Sequence, residues 1–324
     1  MEHVGALENS LESKPDGKIK FKDLVARARK LTDLNSPPGA PYHLHARVTA
    51  FRPPGHTAID GDYDSLRLSA DQWREEFTLG DFRQVVVRDR FVGWRQPQSP
   101  SPSIDYWRTV RSLNLQLGLL FGGSDHLNPV PHRAANGAPL CFGVEPTHPP
   151  GTLQHSEERR ICFDPATLMP LLATEPGDLY RHEYSDYQSF GERLFPHQIL
   201  ASTDEERLLQ LTITDLSVPA ESARLPDAPE GINASPICSI PPDAVPSLVF
   251  PFDNQWQRQI PIWALLFGTF GTDGRWHDLQ VLDELSHGAG KLALKRFSEV
   301  KIKRPCPDGT IQLNPYIEWG LLPL

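Results

Sequence analysis

Few residues in this sequence have the types and spacing that could do chemistry. His43 and His45 stand two apart in YHLHARVTA, a stretch that alternates as a strand does, so both imidazoles face one way. Two imidazoles at that spacing can chelate a metal. No third ligand is indicated, and beside Arg47 and Thr49 they equally make a solvated strand face. The acidic pairs are Asp62/Asp64 and Glu75/Glu76; alternation puts Asp62 and Asp64 on one face, as a general acid and base require, or on a solvated rim. His126, His132, His148 and His155 fall in loops. Nothing marks a Ser or Cys as activated, and the sequence holds no P-loop, dinucleotide fingerprint, zinc-finger spacing or nucleophile elbow. The expectation is a protein that is not an enzyme and needs neither cofactor nor metal.

Cys141, Cys162, Cys238 and Cys306 form an even set without a C-x-x-C. That fits disulfides in an oxidising compartment, with four buried thiols as the plainer alternative. Cys141 with Cys162 is attractive locally, because PLCFGVE and RRICFD read as short strands around a polar, turn-rich segment. Such a loop stabilises by roughly 3 kcal/mol in the chain-entropy model. Cys238 then pairs with Cys306 by elimination, although all three connectivities remain open at this point.

The elements that must position these residues follow from pattern. The chain has 324 residues, enough for two domains at roughly 100–200 residues each. A formal net charge of −9 argues against a surface that coats nucleic acid, which needs clustered Lys and Arg. The longest apolar stretches, Leu113–Gly123 and Ile260–Gly271, fall short of the ~18–20 residues a spanning helix needs. The start, MEHVGALENSLESKPDGK, lacks a basic segment followed by an apolar one. Either the protein is cytosolic, or it is periplasmic and its export signal is missing from this chain; the polar start favours the second.

Residues 1–18 read as a flexible N-terminus. Ile19–Leu34 reads as an amphipathic helix, with Phe21, Leu24, Val25, Ala28 and Leu31 at three- and four-residue steps. Strands are expected at Tyr42–Phe51, Asp62–Leu68, Gln72–Leu79, Phe82–Val87 and Arg90–Arg95, then a second helix over Ile104–Leu120. Gly122–Ala138 reads as a loop. Six more strands follow, at Pro139–Glu145, Arg159–Phe163, Leu168–Thr174, Tyr180–Tyr187, Phe195–Ser202 and Arg207–Leu216. Long antiparallel strands with short turns indicate a curved meander, closed or half-closed as a barrel. Tyr42, Leu44, Val48, Trp73, Phe77 and Leu79 supply one apolar concave face, either an ordinary core under the helices or a groove for an acyl chain. Val218–Pro251 holds eight prolines in 34 residues, a semi-rigid linker or strap. The last part reads as strand (Ile260–Gly271), turn (Gly271-Thr272-Asp273-Gly274), strand (Trp276–Asp283), helix (Gly290–Val300) and closing strand (Thr310–Leu322).

Two resemblances rest on these stretches. GTDGRWHDLQVLD, then ALKRF, then Pro305 to Asp308-Gly309, then TIQLNPYIEW resemble the TonB C-terminal domain over roughly residues 240–324, with FPFD (Phe250, Pro251) where that family has Tyr-Pro. DLVARARKL, HLHARVTAF, QWREEFTLGDFRQVVV, CFDPATLMPLL and FPHQI resemble the outer-membrane lipoprotein carrier (LolA-type) superfamily over residues 19–218. Together they imply an α+β chain: a curved antiparallel half-barrel covered by helices over 19–218, a proline-rich strap over 219–251, and a small strand–strand–helix–strand TonB-like domain over 252–324. They imply a periplasmic, non-enzymatic envelope protein. The half-barrel would bind a lipid or lipoprotein acyl chain, or another envelope protein, through Tyr42, Leu44, Val48, Trp73, Phe77 and Leu79, with the TonB-like end for docking. The alternatives are a TonB-type energy-coupling adaptor for an outer-membrane receptor and an undetected hydrolase.

Overall fold

Polar and apolar residues alternate along the chain's strands because one face of its large sheet is buried and the other is wet. The computed structural model describes residues 21–34, 40–52, 57–97, 103–113, 127–131, 139–146, 159–174, 180–191, 193–203, 205–241, 244–246, 262–284, 288–302 and 306–321. In β1 (Tyr42–Ala50), Tyr42, Leu44, Ala46, Val48 and Ala50 are buried while His43, His45, Arg47 and Thr49 face outward. A meander of β2 (Ile59–Arg67), β3 (Gln72–Leu79), β4 (Phe82–Asp89) and β5 (Val92–Gln96) follows. After helix α2 (Ile104–Leu113), a second meander runs through β6 (Leu127–Pro131), β7 (Leu140–Pro146), β8 (Arg159–Phe163), β9 (Pro170–Thr174), β10 (Arg181–Phe190), β11 (Arg193–Ser202) and β12 (Arg207–Ser217).

β12 returns beside β1, so the two meanders, with a short strand β13 (Ser235–Pro236), fuse into one antiparallel sheet of order β13-β5-β4-β3-β2-β1-β12-β11-β10-β9-β8-β7-β6. The two end strands do not pair with each other, so the sheet is open rather than a closed barrel. One strand, β6, lies inside the stretch read as a loop; Pro129 and Pro131 hide it, since each lacks a ladder donor. The expected continuation of α2 to Leu120 and residues 1–18 lie outside the described residues.

Helix α1 (Phe21–Thr32) presents Phe21, Leu24, Val25 and Ala28 to the concave face, with Arg29 and Lys30 in solvent. Phe21 stacks on Phe142 at 4.8 Å, and β11 lies beneath the helix. Burying a side chain such as Leu24 or Leu44 contributes about 1.5–3 kcal/mol, so this packing fixes where the helix sits.

The proline-rich strap does not hang free. Leu225, Ala228 and Ile232 pack on Val85, Val87 and Trp94, on the outer face of β4 and β5. Its two-residue strand β13 (Ser235–Pro236) then adds to β5. Cys238 is joined to Cys306, and Cys141 to Cys162 across β7 and β8, so of the three connectivities the structure holds this one.

The last part is a three-stranded sheet, order β15-β14-β16, with α3 (Ala289–Glu299) on one face. Its strands are β14 (Ile262–Phe270), β15 (Trp276–Glu284) and β16 (Tyr316–Leu321). Gly274 makes the turn at φ 75°; a Cβ there would lie 2.3 Å from the Ile302 carbonyl oxygen. Ala264, Leu266 and Phe270 pack with Ala293 and Phe297 of α3. Trp263 and Phe267 turn the other way, to Trp107 of α2 and to Tyr316. With both faces covered, β14 is a continuous apolar run instead of an alternating one.

Candidate functional site

The concave face is roofed in two halves. Leu44, Val48, Phe77 and Leu79 are each less than 5% exposed and Tyr42 is buried, all within one core with α1 and α2; Trp73 is half-buried. The six side chains expected to line a groove thus lie on the expected face, and five are covered by helix side chains. A ligand reaches those five only if a helix moves.

Under α2 the core is polar. The Tyr106 hydroxyl donates to Glu75 Oε2 at 2.7 Å, fastening α2 to β3. Tyr63, Ser65, Arg67 and Tyr42 surround this pair. Burial pushes the Glu75 carboxyl above the usual range, opposed by the Tyr106 hydrogen bond and the Arg67 guanidinium. Burial, and then the Glu75 carboxylate, push Tyr63 and Tyr106 well above the usual tyrosine range. Glu75 and Glu76 are neighbours in sequence, yet Glu76 faces outward, where it pairs with Arg74 and with Arg83 at 2.8 Å. They are not an acid–base pair.

The small sheet clamps α2 from outside. Arg108 lies 3.5 Å from Asp283, the Tyr180 hydroxyl donates to Asp283 at 2.8 Å, and Arg111 pairs with Glu318. An aromatic series, Phe82, Phe77, Tyr106, Tyr316 and Phe267, runs from β4 through α2 to β14 with centroid spacings of 5.5–6.0 Å. Arg95 is buried over the Phe267 ring at 5.5 Å, and burial lowers its proton affinity. His182 is also buried. Desolvation and then the Arg111 charge push it down to about 3, so it is a neutral imidazole at neutral pH.

The other half of the roof leaves an opening. A groove of about 170 Å³ is cut where β10 and β12 end and β11 begins, with Phe190, Phe195, Pro196, Ile213 and Leu216 as its apolar residues. Phe195 and Ile213 belong to the core, so the groove floor is continuous with the barrel interior. His197 and Asp215 stand on its polar wall, with His197 Nδ1 2.8 Å from Asp186 Oδ2. A register shift opposite His45/Ala46 of β1 returns Leu216 to the inner side, opposite Leu44. Simple alternation carries no sign of such a bulge, which is why these residues escape a sequence reading.

The convex face holds the other candidates. His43 Nε2 lies 2.8 Å from Asp64 Oδ2, and His45 lies 3.5 Å from Asp64 and 3.8 Å from Asp62. Arg74 also reaches Asp64, at 3.1 Å. These groups form a cross-strand polar ladder over β1, β2 and β3, with Arg74–Asp64 as its ion pair. Among the described residues no group of three or more His, Cys, Asp and Glu is arranged to hold a metal. The four loop histidines lie outside the described residues.

No family model matches the sequence, and no curated protein is significantly similar to it. Some solved structures are similar to part of the chain. One is a LolA superfamily protein from Nitrosomonas europaea, 13% identical, TM-score 0.42, covering 63% of this chain and 95% of that one. Another is an outer membrane lipoprotein-sorting protein domain from Vibrio parahaemolyticus, at 11% identity and TM-score 0.38, covering 61% of this chain and 92% of that one. A DUF1329 family protein from Desulfovibrio piger matches at 14% identity and TM-score 0.39, over 62% of this chain and 92% of its own.

Proposed function

We propose that this chain is a non-enzymatic binding protein of the periplasm whose half-barrel takes an acyl chain or a similar apolar ligand. The observation that carries the reading is the groove at Phe190, Phe195, Ile213 and Leu216, whose floor runs into the apolar interior beneath the helices. A groove of about 170 Å³ is smaller than the ~300–1,000 Å³ of a ligand pocket, so it serves as a mouth for the first few methylenes. The rest of the chain would meet Leu44, Val48, Phe77, Leu79, Tyr42 and Trp73 as α2 lifts. Each buried methylene contributes about 0.8 kcal/mol, enough for a short chain to bind measurably.

Two disulfides support an oxidising compartment. They also take up all four thiols, which removes cysteine nucleophiles from the hydrolase alternative. The TonB-like resemblance of residues 252–324 supports a docking role for the small sheet. One face of that sheet is committed to α2 and the half-barrel, which favours docking over an energy-coupling adaptor.

The test is a titration with a fluorescent fatty acid. The expected outcome is saturable binding, weakened about tenfold or more by Leu216→Asp, which places a charge where a methylene would sit. Thermal melts confirm that the variant folds. No saturable binding, or equal binding by Leu216→Asp, overturns the reading.

A further inference from the structure

The strand register places one set of strand ends on a single rim: the starts of β1, β3, β5 and β11 and the ends of β2, β4, β10 and β12. The groove opens on this rim. Among the described residues, the large apolar side chains that stand in solvent lie there too: Phe91 at 83% exposure, Val92 at 40% and Val218 at 72%. Phe91 sits at the tip of the β4–β5 hairpin, between Arg90 and Val92, with Arg88 just before; Val218 directly follows β12.

The Phe91 tip is held by its surroundings. The Arg90 backbone sits at φ 57°, and its N–H donates to the Asp71 carbonyl at 2.8 Å. Arg88 Nε donates to the Arg90 carbonyl at 3.2 Å, and the Ile237 N–H of the strap donates to the Phe91 carbonyl at 2.9 Å. A preorganised tip loses little freedom when it docks.

The spacing of these points indicates the partner. From β5 to β12 there are five strand steps, roughly 24 Å along the sheet at ~4.8 Å each. Apolar points so far apart, with polar strand ends between them, do not form one contiguous protein-binding patch. A bilayer accepts isolated side chains at separate points. At the tip Arg88 and Arg90 stand near Asp71, whose carboxylate also accepts from Ser69 at 2.6 Å. Guanidinium groups placed there can recognise lipid phosphates in fork geometry.

We infer that this rim docks on a phospholipid bilayer, Phe91 and Val92 inserting, Val218 touching at the far side, and the groove brought to the lipid surface between them. This rests on the groove being the ligand's mouth. With a whole-chain charge of −9, long-range attraction to an anionic membrane is not the driving force, so binding depends on insertion and only weakly on salt.

The test is cosedimentation of the full chain with vesicles of phosphatidylcholine and phosphatidylglycerol, 7:3 by mole. The wild type is expected to sediment, Phe91→Ser to bind about tenfold more weakly and Arg90→Gln about fivefold more weakly. A Phe91→Trp variant is expected to show a blue-shifted difference spectrum on adding vesicles. A wild type that stays in solution, an unshifted Phe91→Trp, or a Phe91→Ser that sediments as the wild type does overturns the inference. The soluble fatty-acid titration separates the two readings. Phe91→Ser is expected to bind that probe as the wild type does. If the wild type binds the probe but not vesicles, bilayer docking falls and ligand binding stands; if it binds neither, both fall.

Discussion

The two halves of the roof over the concave face are built on different principles. Over β11 and β12, α2 is fastened to β3 by Glu75 and to the small sheet by Asp283 and Glu318. Helix α1 packs on β11 through the apolar side chains of its buried stripe, and the strands beyond it run into an open groove. A buried polar contact is costly when broken singly, whereas apolar packing gives way gradually. The first half thus behaves as a latch and the second as a mouth.

The contrast is broken most strongly at the crosslinks. The Cys238–Cys306 bridge spans 68 residues and ties the strap to the small sheet; Cys141–Cys162 spans 21 and joins two neighbouring strands. The chain-entropy model gives about 4 kcal/mol for the first and about 3 for the second. Chemical denaturation of the two double-serine variants is expected to rank them in that order. Only the Cys238/Cys306 variant is expected to expose Tyr106 and Trp263 early, seen as a pre-transition in tryptophan fluorescence.

A smaller effect sharpens the latch. Tyr106→Phe keeps the ring packed on Phe77 but removes one of the two tyrosine hydroxyls that hold the Glu75 carboxyl, a loss of about 1–3 kcal/mol by thermal or urea unfolding.

The pH dependence separates two buried groups of the latch side. His182 has a folded pKa of about 3, below its unfolded value of 6.5, so the unfolded chain binds more protons between them. Its contribution is present above pH 6.5 and is lost as pH falls toward 3. Glu75 is shifted upward, so its effect has the opposite sign: present below the unfolded value of 4.5 and lost as pH rises through the folded one. Stability measured against pH in His182→Asn is expected to lose the acid-side decline, and in Glu75→Gln the decline on the rising side. Unchanged profiles in both variants contradict the latch.

Much of this architecture is written in local pattern. Gln72–Leu79 and Arg159–Phe163 form strands at the expected bounds, since alternation and flanking turns agree there. The small domain follows the expected order of strand, strand, helix and strand. What escapes is non-local. β6 and β13 carry prolines that argue against strands, and they pair only because a neighbouring edge accepts them. Glu75 looks like half of a surface pair with Glu76; its inward position follows from the register with Tyr63 and Phe77, and its partner Tyr106 lies 31 residues away. The groove depends on a bulge near Leu216 and on how far α1 reaches, neither of which a period-two pattern encodes.

An apolar ligand is expected to enter at Phe190, Phe195, Ile213 and Leu216. A fatty acid bearing a nitroxide on its chain tests it directly, through methyl resonances of the labelled protein. Paramagnetic broadening is expected at Ile213 and Leu216, with Val85 and Val87 under the strap unaffected. Broadening at Val85 and Val87, or none at the groove methyls, would contradict it.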